Sequence, residues 1–236
     1  MKKYKATYLP VFFLIDVSYS MLEEKPGGGT LLDAANQLVP GIVEACEKYS
    51  VLDQRLRLGL IEFYDEARVV IPLSEIDAFS ENIPQLVAKG GTNFAAAFWA
   101  VFNEMGVAVE SLRKPEIGIH RPTVFFITDG EDIGDVEERA RAWAALSDEG
   151  FRYRPNFFTF GVGNANLEGI RAFKLGSGFA AATKDPTRAV QRLQEILNTL
   201  VSSIVSSSAG DNPTGKIIVD PKTFNSDEWE VDDEFV

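Results

Sequence analysis

The chain has 236 residues, 45% of them hydrophobic, and a formal net charge of −12. That length and apolar content suit one α/β domain with a short extension, and the acidic balance argues against a surface that tracks nucleic-acid phosphates. The single cysteine, Cys46, excludes an internal disulfide and a cysteine-built zinc site.

Lys2, Lys3 and Lys5 precede an apolar run, Val11 to Ile15, that Asp16 interrupts. The run is too short for the apolar region of a signal peptide. No segment reaches the ~20 apolar residues of a membrane span, so a cytoplasmic protein without membrane contact is expected. A run so short, β-branched and aromatic reads as a strand buried on both faces of a parallel sheet. It ends in Asp16-Val-Ser18-Tyr-Ser20, just past the carboxyl end of the strand, the edge at which open α/β sheets bind ligands.

Gly27 to Gly29 lie in a loop that lacks the Lys-Ser/Thr of a phosphate-binding loop. Thr30 is placed to cap a helix running to about Tyr49, with Leu31, Ala35, Leu38, Ile42 and Cys46 on one face and a kink expected at Pro40. Leu56 to Phe63 alternates as a second strand and Ala67 to Leu73 forms a third. Only a short turn at Asp65-Glu66 separates them, so the third is expected to be an antiparallel edge. Glu75 to Lys89 reads as a short helix and loop.

Gly90-Gly91-Thr92-Asn93 opens a helix to about Leu112, with Thr92 as the expected N-cap. Its stripe of Phe94, Phe98, Val101, Phe102 and Met105 reads as core packing. His120 stands in a loop, without the paired Ser and acid of a hydrolase. Thr123 to Thr128 is a fourth strand ending in Asp129-Gly130, and a helix follows from about Val136 to Ser147. Asn156 to Val162 is a fifth strand, and Gly161-Val-Gly163 reads as a turn. A short strand near Phe179 to Ala182 and a helix from Pro186 to about Ser206 complete a domain over 1–207. Residues 208–236 read as a linker, a short strand over Lys216 to Asp220, and an acidic tail. The tail is either solvated or an interaction segment anchored by Trp229 and Phe235.

Strands alternating with helices imply a doubly wound, three-layer α/β/α fold. Asp16, Ser18, Ser20, Thr92 and Asp129 then offer oxygen atoms only, which suits a hard cation such as Mg²⁺ or Mn²⁺. This set, in this order, resembles the metal-ion-dependent adhesion site of von Willebrand factor A domains. GGTNF and FFITDGED look most like bacterial cytoplasmic members related to tellurium-resistance proteins. The resemblance implies a six-stranded, mostly parallel, Rossmann-like sheet of order 3-2-1-4-5-6 with the third strand antiparallel. It also implies metal-dependent protein binding, in which a partner's Asp or Glu carboxylate completes the ion's coordination. Partner kinases and phosphatases are associated with the tellurium-resistance relatives.

No catalytic residue is expected. The contrasting reading is a metal-dependent phosphohydrolase using Asp16 and Asp129. Haloacid-dehalogenase enzymes, however, need a second Asp where Ser18 stands, and Gly-x-Ser-x-Gly is absent. Two features stay open at this level: Tyr19 is a partner contact or a packed lid, and Glu131, Asp132 and Asp135 either strengthen cation binding or repel acidic partners.

Overall fold

The first strand begins earlier than its apolar run. A computed structural model describes residues 6–24, 28–48, 54–209, 217–224 and 227–232. In it β1 spans Ala6–Asp16 and is buried from Leu9 onward. β2 (Leu56–Phe63) runs parallel to it, from Leu9 opposite Leu56 to Asp16 opposite Phe63, and β3 (Ala67–Ser74) turns back antiparallel as the edge. On the other flank, β4 (Ile117–Ile119) pairs with the start of β1 and β5 (Thr123–Thr128) with its remainder. Pro122, which has no N–H to give a ladder, lies in the break between them. β6 (Asn156–Gly161) and β7 (Ala180–Thr183) follow in parallel. The order is β3-β2-β1-β5-β6-β7-β8, with β4 beside β1. The expected order therefore holds, with two strands more than the six expected.

The added edge strand, β8 (Trp229–Asp232), runs antiparallel to β7 and corrects the reading of the C-terminal segment. Ile217, Val219, Phe224 and Trp229 are buried in the core of the domain. The Phe224 ring lies 5.2 Å from Trp229 and 5.4 Å from Phe160. Glu228 pairs with Arg188 and Arg192, and Asp232 with Lys174. These acids meet cations of the domain, so residues 227–232 are neither a solvated tail nor a free anchor. Of the strand expected over 216–220, the described residues 217–220 form none. Residues 217–220 are irregular and lead into a 3-10 turn, Pro221–Thr223, capped by Asp220. The expected linker at 210–216, and Phe235, lie outside the described residues.

Alternation along the strands sends Val11, Phe13 and Ile15 to one face and Phe12 and Leu14 to the other. The first face packs on α1 (Leu31–Ala35), α2 (Leu38–Lys48) and, at the far end of the domain, α6 (Ala189–Ala209). The apolar stripe from Leu31 to Cys46 is buried as expected, but the helix breaks rather than kinks. Residue 40 has no N–H for the carbonyl of Asn36, and its ring collides with that carbonyl. The chain therefore turns at residues 36 and 37, and Pro40 sits in the first turn of α2.

The second face is covered by α3 (Phe94–Glu104), extended by a π-helical turn over Met105–Val109, and by α4 (Val136–Ser147). Here the aromatic stripe meets the sheet: Phe94 stands edge-on to Phe126 at 4.9 Å and Phe98 lies 5.3 Å from Trp143. Gly59 permits this layer, since a Cβ there would meet the Phe12 ring at 2.7 Å. A four-residue helix, α5 (Leu167–Ile170), completes the fold. Among the described residues no helix is long and apolar enough to cross a membrane.

Candidate metal centre

Strands β1 and β5 are neighbours whose flanking partners diverge, so their carboxyl ends form the crevice at the switch point. Asp16, the last residue of β1, and Asp129, the first after β5, meet there, both fully buried. Asp16 Oδ1 accepts the Ser18 N–H at 2.8 Å, a local turn that short acidic side chains favour. Its Oδ2 accepts the Thr128 hydroxyl at 2.7 Å. The carboxylate thus spends one oxygen on the Asp16–Ser20 turn and the other on tying the end of β1 to the end of β5. Thr128, on the adjacent strand, is a site residue that the sequence reading missed; its only signal was its place before Asp129.

The turn carries the two serine hydroxyls toward Asp129. Ser20 Oγ donates to Asp129 Oδ1 at 2.8 Å, the Ser18 and Ser20 hydroxyls are 2.9 Å apart, and Ser18 Oγ lies 3.5 Å from Asp129 Oδ1. Thr92 arrives on a third segment and is 5% exposed. A Cβ added at Gly130 would stand 3.4 Å from its Oγ1. The structure therefore brings all five expected residues to one place.

Thr92 is not the cap of α3. Asn93 takes that role, its Oδ1 accepting the Ala96 N–H at 3.2 Å, and Asp132 Oδ1 accepts the Phe94 N–H at 2.8 Å. The Thr92 hydroxyl is left with no hydrogen bond to any described residue, facing Gly130. The Thr92 backbone is clamped instead. Its carbonyl accepts the Ile133 N–H, the Asn93 N–H reaches Tyr64 O at 2.9 Å, and Gly90 O accepts the Tyr19 N–H at 3.1 Å. Gly90 has φ of +52°, and a Cβ there would strike the Asp65 carboxylate at 2.2 Å, so only glycine fits.

Both open features close on geometry. Asp132 caps α3 and pairs with Arg139 at 2.5 Å, Asp135 caps α4, and Glu131 accepts from Asn166 at 3.1 Å. The three extra acids are engaged with the scaffold. Tyr19 is 64% exposed, so it is no lid. The Gly161–Gly163 turn supports the site as well: Gly163 takes φ of +62° and the Asn164 N–H donates to Asp129 O at 3.1 Å.

Burial, and next the charge of Asp129, push the Asp16 carboxyl up from 3.8 to about 7, against the lowering pull of Ser18 and Thr128. The Asp16 carboxyl therefore resists ionisation beside Asp129. No group of three or more His, Cys, Asp or Glu able to hold a metal occurs among the described residues; this centre is two carboxylates and three hydroxyls. Its donors fit a small hard ion. Metal–oxygen distances of 2.0–2.1 Å place adjacent ligands of an octahedron about 2.9 Å apart, the spacing already found between the two serines and between Ser20 and Asp129.

A family model described as von Willebrand factor type A domain matches residues 11–131, more than half of the chain and the stretch holding all five residues. The chain belongs to the von Willebrand factor type A domain family. Solved structures of this fold agree. A von Willebrand factor type A protein from Catenulispora acidiphila superposes with a TM-score of 0.58 at 18% identity, covering 82% of this chain and 42% of that one. Proximal thread matrix protein 1 from the mussel byssus gives 0.59 at 15% identity, covering 84% and 48%. A second structure of the mussel protein, described with a zinc-occupied MIDAS motif, gives 0.56 at 13%, with 84% and 48% covered. The chain thus spans less than half the length of these relatives. No curated protein matches its sequence. The family often mediates metal-dependent protein interactions, and von Willebrand factor A domains can bind a divalent metal at such a site.

Proposed function

We propose that this chain is a metal-dependent protein-binding module whose adhesion site comprises Asp16, Ser18, Ser20, Thr92 and Asp129. The observation that carries this reading is the convergence of three neutral hydroxyls with only two carboxylates. Asp16 is already engaged by the Ser18 N–H and the Thr128 hydroxyl, so of the two only Asp129 is placed to hold an ion directly; that leaves part of a divalent charge unmet, and an incoming carboxylate meets it. Ser18, Ser20 and Asp129 would hold the ion, Mg²⁺ or Mn²⁺ by their oxygen chemistry. Asp16 orients the turn, and Thr92 is the hydroxyl with no competing bond. The bound ion supplies a fixed positive charge for a partner's Asp or Glu. Tyr19, Leu22 and Ile133, all exposed large side chains on segments that border the site, give that partner an apolar rim.

Binding is favoured over phosphoester hydrolysis because Ser18 occupies the position of the second acid and Asp16 already serves two hydrogen bonds. The likeness of GGTNF and FFITDGED to tellurium-resistance relatives supports a cytoplasmic stress-signalling complex with a kinase or phosphatase partner.

The test is partner capture from native cells in Mg²⁺ and in EDTA, then titration of the recovered partner against wild type and Thr92→Ala. Thr92→Ala is expected to keep most of its metal affinity and lose partner affinity by at least tenfold, about 2–5 kcal/mol for a charge-assisted contact. Equal affinities in all four conditions would place the binding surface elsewhere. Turnover of model phosphate esters that needs Mg²⁺ and Asp129 would favour the enzyme.

A further inference from the structure

The opposite end of the sheet carries the opposite charge. Where β4 and β5 begin, and just ahead of β6, a cavity of about 600 Å³ is lined by Arg113, Lys114, Arg121, Arg152 and Arg154, with Glu149 its one acidic lining residue. Glu110 lies outside the lining and reaches Arg152 and Arg113 loosely, at 3.7 and 3.9 Å. In a chain of net charge −12, five lining cations set against Glu149 and the loosely paired Glu110 focus a local positive potential against the field of the molecule. Along β1 this end is ~26 Å from Asp16, at about 3.3 Å per residue, so it is no part of the metal centre.

Two buried atoms on lining residues lack partners. Arg154 Nε and the Tyr153 hydroxyl make no hydrogen bond to any described residue. Buried donors left so are costly, and both sit on residues that line the cavity. Apolar side chains lie between the cations, including Ile119 and Phe151, the latter tilted against Phe102 at 4.6 Å.

We infer that this cavity binds a small molecule bearing linked phosphate groups, of nucleoside-diphosphate size. The volume matches such ligands, and guanidinium forks match phosphate oxygens. A diphosphate also gathers about three charges within a few ångströms, whereas an acidic peptide spreads one charge per ~3.3 Å of extended chain. The concentration of cations in one cavity favours the denser anion.

The full chain is titrated calorimetrically with ADP and with inorganic pyrophosphate in EDTA, at low and moderate salt. Both are expected to bind, more weakly at higher salt. The double substitution Lys114→Glu with Arg152→Glu alters exposed side chains, so the fold should survive it, and it should weaken binding at least tenfold. Arg154→Ala should do likewise, and Thr92→Ala, at the far end, should leave binding unchanged. The inference falls if neither ligand binds, if the folded double variant binds as wild type does, or if Thr92→Ala abolishes binding. It falls equally if a hexaglutamate peptide binds as tightly as pyrophosphate through the same residues, which would make the cavity a protein-docking site.

Discussion

Two short segments rich in oxygen ligands, Asp16–Ser20 near one end of the chain and Glu228–Asp232 near the other, look alike in composition and behave differently. The first buries a carboxylate with no cation beside it and turns its hydroxyls toward a second carboxylate. The second aligns its acids with Arg188, Arg192 and Lys174 and inserts Trp229 into the core. An acidic side chain with a fixed cationic partner is finished, and it serves the scaffold. A buried carboxylate that faces serine hydroxyls and a second carboxylate is, on the function proposed above, placed to take up a cation. The same distinction separates Asp16 from Asp132, which is paired with Arg139.

The largest expected effect breaks the comparison on the scaffold side. Trp229→Ala removes a side chain that is 3% exposed and packed on Phe224, a change of the kind that costs about 3–5 kcal/mol. For a domain of this size that lowers Tm by roughly 6–20 °C. Metal binding measured well below the transition should be unchanged. An unaltered melt would mean that β8 is not held to the sheet in solution, and the segment would again be available as a partner anchor.

Most of the site was legible because it depends on local chemistry. The run Val11–Ile15 can only be a central strand, and a strand that ends in Asp-x-Ser-x-Ser at the switch point delivers those oxygens wherever the rest of the chain goes. What was misread depends on tertiary choices among local equals. Thr92 and Asn93 are both good caps, and the decision falls to Asn93 because the Thr92 carbonyl is held by Ile133 from another loop. Pro40 fixes that a helix must change, and the steric demand on the carbonyl four residues earlier decides where. Trp229 in an acidic run reads as a solvated tail or an interaction segment, and only the free edge of β7, with Arg188 and Arg192 beside it, makes it a strand of the domain. The basic cavity was illegible because its arginines, spread from 113 to 154, gather only through the pairing of β4 with β1.

The next effect sharpens the contrast through pH. The Asp16 carboxyl is raised to about 7, and a raised acid stabilises the fold fully below its unfolded value of about 3.9 and loses that contribution as pH climbs through the folded one. Metal-free protein should therefore lose on the order of 3 kcal/mol between pH 5 and 8 through this group. Asp16→Asn, which keeps the shape, should flatten that part of the profile and be the more stable protein at pH 8 in EDTA. Denaturant melts of wild type and Asp16→Asn across that range provide the check, and an equal slope in the two would mean that Asp16 ionises freely in the apo fold.

The smallest effect is the metal itself. A cation that binds only the folded state, at ~10 times its dissociation constant, stabilises by roughly 1.4 kcal/mol, or about 3–6 °C in Tm. The ion needs both carboxylates charged, so at fixed Mg²⁺ the stabilisation should grow as pH rises from 5 to 8, opposite in sign to the metal-free trend. Adding Mg²⁺ should thus restore at pH 8 part of what the paired carboxylates cost there, and Asp16→Asn should respond weakly or not at all. Trp229→Ala, although far less stable, should keep a full metal shift measured from its own lower midpoint. Were the shift lost with Trp229 and kept with Asp16→Asn, the division between a finished scaffold segment and an unfinished binding segment would be reversed, and the ion would have to be sought among the acids near β8.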